Sequence, residues 1–106
     1  IQTIFKDSYL LKNAYDVGIR ILDSSEKYGD AHQIIGEFHT LFPEHIFNII
    51  TKIPPKEHLD NIDLKIKKYL SDLNITKIQC LMFHSFDSFI KNSSVFRSPF
   101  FCLTFN

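Results

Sequence analysis

Three short apolar runs constrain what this chain can fold into more than any other feature. They are Ile19, Ile21 and Leu22 ahead of Asp23, IFNIIT at 46–51 ahead of Lys52, and IQCLMF at 78–83 ahead of His84. Near-continuous apolar runs of this length are expected of strands covered on both faces, which points to a parallel sheet flanked by helices.

The stretches between them read as helices. From Asp7 or Ser8, either of which could cap a helix, Leu10, Leu11, Ala14 and Tyr15 recur at helical spacing until Gly18 supplies a stop. Asp30 opens a second helix with Ile34, Ile35, Phe38, Leu41 and Phe42 as its buried face, and Pro43 ends it. Gly36, inside that helix, costs about 1 kcal/mol in propensity relative to Ala, so it predicts close packing against a neighbour. After the turn forced by Pro54 and Pro55, Asp60 or Asn61 opens a third helix. Its packing face is Ile62, Ile66, Tyr69, Leu70 and Leu73, with Lys65, Lys67, Lys68 and Asp72 turned to water. Ile1–Phe5 is too short to assign and is at most the remnant of a preceding strand. Residues 96–106, FRSPFFCLTFN, show no helical or alternating period.

Helix and strand thus alternate three times. Right-handed crossovers set the three strands side by side, all pointing one way. Parallel neighbours lie about 4.8 Å apart, so the C-terminal ends of three strands fall along an edge about 10 Å long. Asp23, Lys52 and His84 each stand just past such an end, and Tyr28 lies in the loop that overhangs it. This is the edge where α/β folds place their sites.

The combination makes chemical sense. A free tyrosine has a pKa of about 10, too high for efficient proton transfer near neutrality. A neighbouring ammonium favours the phenolate, so Lys52 beside Tyr28 makes a better acid or base. Asp23 would hold Lys52 charged and oriented, and His84 would orient a substrate oxygen or share in the proton transfer.

At these residues the chain resembles the aldo-keto reductase family. GIRILDSSEKYGDAHQIIG at 18–36 is similar to the family signature G-x-x-x-x-D-T-A-x-x-Y-G-x-S-E-x-x-[IL]-G, while ITK at 50–52 and LMFH at 81–84 resemble its lysine and histidine strand ends. Ser24 and Ser25 stand where the family often has Thr and Ala, and His32 replaces its usual Glu. The resemblance covers residues 7–88 and leaves 89–106 as an atypical Phe-rich tail. It implies a (β/α)₈ barrel that reduces a small-molecule carbonyl with a nicotinamide cofactor, usually NADPH. It further implies that Tyr28 donates the proton, that Lys52 and Asp23 tune it, and that His84 positions the carbonyl. Asp23 would also border the nicotinamide side of the cofactor. The three strands would correspond to the second, third and fourth of the barrel.

A closed barrel of this kind takes about 250 residues, and this chain has 106. The expectation is therefore a single partial, truncated α/β barrel domain over 1–106, with about three βα units. The resemblance implies that the cofactor is held largely by late loops of the barrel, so most of these are expected to be missing, and the three glycines, forming neither GxGxxG nor a P-loop, offer no substitute. An open sheet exposes two edges, which makes self-association through them an expectation too. The alternative to a reductase is a non-catalytic remnant, or a fragment that binds a partner through that edge or the Phe-rich tail.

Composition bears on partners and setting. Twelve basic residues balance twelve acidic ones, which argues against a nucleic-acid or anionic-membrane surface. The longest charge-free apolar stretch falls far short of the roughly 20 residues of a spanning helix. No basic segment followed by an apolar one suggests a secretory signal. Two cysteines without a CxxC unit favour a reduced, cytoplasmic setting. His32, His39, His45 and His58 lack metal-ligand spacing, so they are expected at the surface and no metal is expected.

Overall fold

The computed structural model describes residues 2–53, 62–83 and 100–101. In chain order the elements are α1 (Gln2–Asp16), β1 (Ile21–Asp23), α2 (Ala31–Leu41), β2 (Asn48–Ile53), α3 (Ile62–Leu73), β3 (Cys80–Phe83) and β4 (Phe100–Phe101). The sheet runs β1-β2-β3-β4. The β1–β2 and β2–β3 pairs are parallel, and β4 joins β3 antiparallel. Three parallel strands and three helices are the α/β architecture that the apolar runs require. The antiparallel pair at 100–101 had no signal in its sequence period.

Helix α1 begins upstream of Asp7 and Ser8, so most of Ile1–Phe5 is helical and not a strand remnant. The spacing accounts for this, because Ile4 precedes Ser8 and Leu11 by four and seven residues and so shares their helical phase. Ser8 is buried, and Leu11, Ala14 and Tyr15 pack on the core, whereas Leu10 is exposed. Gly18, at φ 105°, ends the helix. The Ile19 N–H reaches back to the Ala14 carbonyl at 3.0 Å and the Gly18 N–H to that of Tyr15 at 3.0 Å. This Schellman closure needs a left-handed residue. Asn74, at φ 52°, closes α3 in the same way, with Ile75 N–H bonded to the Leu70 carbonyl and Asn74 N–H to that of Ser71.

In α2, Asp30 occupies the capping position but its side chain makes no capping hydrogen bond. Ile35 and Phe38 are buried as expected, while Leu41 is half exposed and two histidines, His32 and His39, are buried in its place. Gly36 is where α2 meets α3: a Cβ there would lie 1.9 Å from the backbone oxygen of Asp72. The close packing predicted from that glycine is present.

His39 is buried because it replaces a backbone ladder at the base of the fold. The Phe47 N–H donates to its Nε2 at 3.0 Å, so the ring hydrogen sits on Nδ1 and is donated to the Leu73 carbonyl at 2.8 Å. One imidazole thereby joins α2 to the entry of β2 and the end of α3. Burial pushes its pKa below the ordinary value of 6.5, with the Leu73 bond acting in the opposite direction.

The core is Ile35, Phe38, Phe47, Ile49, Ile53, Ile66, Tyr69, Leu73, Ile78 and Leu81, with Leu11, Tyr15 and Leu22 against it. Leu22 pairs with Ile49, and Thr51 with Leu81, so these residues share one face of the sheet, the face the helices cover. The opposite face carries Ile21, Asp23, Ile50 and Lys52. On that face Ile21, at the β1 edge, is 53% exposed, whereas Cys80, level with Ile50, is buried. No helix among the described residues is long and apolar enough to cross a membrane.

Candidate functional site

Strand register brings the first two site residues together. Asp23 is level with Ile50, and Lys52 stands two residues further along β2, on the same face. Lys52 lies inside the strand, one residue before its end, not beyond it. Its ammonium donates to Asp23 Oδ1 at 2.5 Å and to the Ser24 carbonyl at 3.0 Å. An ammonium carries three donors, and two are thus engaged among the described residues. The Lys52 side chain is 14% exposed, whereas that of Asp23 is 65% exposed. The pair therefore holds a nearly buried cation against a carboxylate that stays wet.

Tyr28 completes the group. The Lys52 Nζ lies 5.2 Å from the centroid of the Tyr28 ring, and Tyr28 is half exposed. The loop that delivers it is shaped by its own backbone. Ser24 N–H extends the ladder to the Ile50 carbonyl at 2.7 Å, Tyr28 N–H bonds the Ser25 carbonyl at 3.0 Å, and Ala31 N–H bonds that of Tyr28 at 3.1 Å. Gly29, at φ 58°, makes the turn into α2. Ser24 and Ser25, where the resembled signature has Thr and Ala, are both buried, and Ser25 Oγ accepts from the Lys27 N–H at 3.1 Å. His84, the fourth residue, lies outside the described residues, as does His58.

Behind the strands lies a polar group that the sequence did not disclose. Lys65, assigned to water by its helical phase, pairs with Glu26 at 3.1 Å, and the two side chains are 17% and 28% exposed. The Tyr69 hydroxyl donates to the Lys52 carbonyl at 3.2 Å, close to the Glu26 carboxylate on which it also acts. Burial raises the Glu26 pKa, but the hydrogen bonds from Tyr69 and Lys65, with the charges of Lys65 and Lys68, outweigh it and hold the carboxyl below its ordinary 4.5. His32 is buried beside them. It lies 2.9 Å from Thr51 Oγ1 through Nε2, and its ring stands edge-on to Tyr69 at 4.9 Å. Burial pushes its pKa down, while the carboxylates of Asp72 and Glu26 pull upward. The histidine that departs from the family signature has thus found a neutral partner, and it is not the surface residue its isolation suggested.

A paired lysine and aspartate facing a tyrosine ring, on the open face at the C-terminal edge of parallel strands, can hold and move a proton beside a ligand that approaches from solvent. Sequence comparison bears on whose chemistry this is. No curated protein and no solved structure matches the chain. The sequence model of the aldo/keto reductase family matches residues 6–96, which includes Asp23, Tyr28, Lys52, His84 and every strand but β4. With the match spanning both strand ends and the loop between them, the chain belongs to the aldo/keto reductase family.

Proposed function

We propose that Asp23, Tyr28, Lys52 and His84 form the reacting end of a nicotinamide-dependent reductase that converts a small-molecule carbonyl to an alcohol. The observation that carries this reading is the Lys52 ammonium, bonded to Asp23 and poised over the Tyr28 ring. Tyr28 donates its phenolic proton to the carbonyl oxygen. Lys52 stabilises the negative charge left on the phenol, and Asp23 and the Ser24 carbonyl hold Lys52 in place. Half-exposed Tyr28 regains its proton from water. His84 orients the carbonyl oxygen, a role taken from the family resemblance.

The nicotinamide, NADPH by resemblance, would supply the hydride to the carbonyl carbon. Its reacting end fits the open face, where Asp23 and Tyr28 are both accessible. Lys52 and Lys65 are already paired with carboxylates and offer its phosphates no free cation. The added Cβ at Gly36 would strike only the helix α3 backbone.

Fluorescence titration of the purified chain with NADPH, followed by carbonyl turnover read from nicotinamide absorbance, tests the proposal. Binding and turnover that Tyr28→Phe abolishes support it. Turnover that survives Tyr28→Phe removes Tyr28 from the mechanism. A second reading is favoured by the outer edge of β1, where Ile19 and Ile21 are 45% and 53% exposed. In that reading the chain is a non-catalytic, partner-binding member that pairs through this edge. It predicts no NADPH binding and concentration-dependent self-association in sedimentation.

A further inference from the structure

The Tyr28 loop is tied to the back of the sheet by a group that has no place in the proton transfer. Glu26 lies two residues before Tyr28 and extends away from the open face to Lys65 on α3. Tyr69, fully buried, bonds the backbone oxygen of Lys52. Two α3 side chains therefore reach the two halves of the reacting pair from behind, Tyr69 through the backbone of Lys52 and Lys65 through the loop that carries Tyr28. The ion pair spans 39 residues of sequence and is largely shielded, unlike the exposed i,i+4 pairs Lys12–Asp16 and Lys68–Asp72. Exposed pairs of that kind contribute little.

We propose that Glu26, Lys65 and Tyr69 are positioning residues that hold Tyr28 against the Lys52 ammonium. The inference rests on reading Tyr28 and Lys52 as the reacting pair. The loop's internal backbone bonds set its shape, and this group sets where that shape sits relative to β2. A shift of about 1 Å in such a contact is enough to impair proton transfer substantially.

The test reads geometry in the chain without substrate or cofactor, so it is independent of whether the carbonyl chemistry is correct. Lys52 approaches the face of the Tyr28 ring, and the ring current should displace the Lys52 ε-methylene proton signals upfield in NMR spectra, relative to a Tyr28→Leu chain. Tyr69→Phe keeps the buried ring and removes only the hydroxyl. Glu26→Gln removes the charge from a loop residue outside the core and serves if Tyr69→Phe fails to fold. Either variant, with its amide spectrum otherwise native, is expected to lose at least half of the displacement. Thr40→Val, which removes a side-chain link between α2 and the end of α3 at Asn74, is expected to keep it. Full displacement retained in Glu26→Gln and in any folded Tyr69→Phe chain overturns the proposal, as does an equal loss in Thr40→Val.

Discussion

Gly36 and Asp72 set the distance between α2 and α3: the α3 backbone oxygen occupies the space a side chain at residue 36 would need. Gly36→Ala therefore opposes two effects. Alanine gains about 1 kcal/mol of helix propensity over glycine, while forcing a methyl group into a packed seam costs about 1–3 kcal/mol. With backbone at 1.9 Å, the helices must separate, so the upper part of that range applies and the net effect is destabilising. Thermal unfolding followed by circular dichroism should show a lower midpoint. A higher midpoint would mean that the helices are not in this contact.

His39 joins three elements through two bonds, and apolar replacement cannot reproduce either of them. His39→Leu fills the volume but leaves the Phe47 N–H and the Leu73 carbonyl unpaired in the interior. At about 1–3 kcal/mol for each orphaned group, the expected loss is about 2–6 kcal/mol. Urea denaturation of the two chains gives the difference. A loss below about 1 kcal/mol would show that water or another group satisfies both.

The parts of the fold visible in the sequence were those carried by local pattern. The three apolar runs, the stop at Gly18 and the seam at Gly36 each follow from a few adjacent residues, and parallel register then brings Asp23 and Lys52 to one face. What escaped depends on distant partners. Glu26 and Lys65 are separated by 39 residues, so helical phase alone sent Lys65 to solvent. His32 and His39 looked like surface residues because the groups that bury them, Thr51, Phe47 and Leu73, belong to other elements.

Acid should weaken the fold in two stages. Burial lowers the pKa of both His32 and His39 from 6.5 in the folded chain, so the unfolded chain binds protons first as pH falls. Their contribution is complete above about 6.5 and declines below it, down to the lowered folded values. Glu26, also lowered in the folded chain, contributes above its ordinary 4.5 and loses that contribution at more acid pH. Denaturation midpoints should therefore fall continuously from neutral pH downward. Replacing His39 with Gln should flatten the first stage, and an unchanged slope would show that His39 is not held neutral.

Lys52→Met separates catalysis from folding. The Lys52 side chain is nearly buried, while its partner Asp23 is 65% exposed. Removing the ammonium leaves no stranded buried charge, because water takes over the Asp23 carboxylate, and the methionine keeps the apolar stem. The unfolding midpoint should fall only modestly, by the cost of the one Ser24 carbonyl left without its donor. Turnover should fall by about 10²–10⁴-fold, the usual range for loss of a general acid–base function. Parallel measurement of kcat and of the urea midpoint decides the matter. A fold lost along with activity would make Lys52 a structural residue, whereas a collapse of kcat in a chain that keeps its fold would assign it to proton transfer through Tyr28.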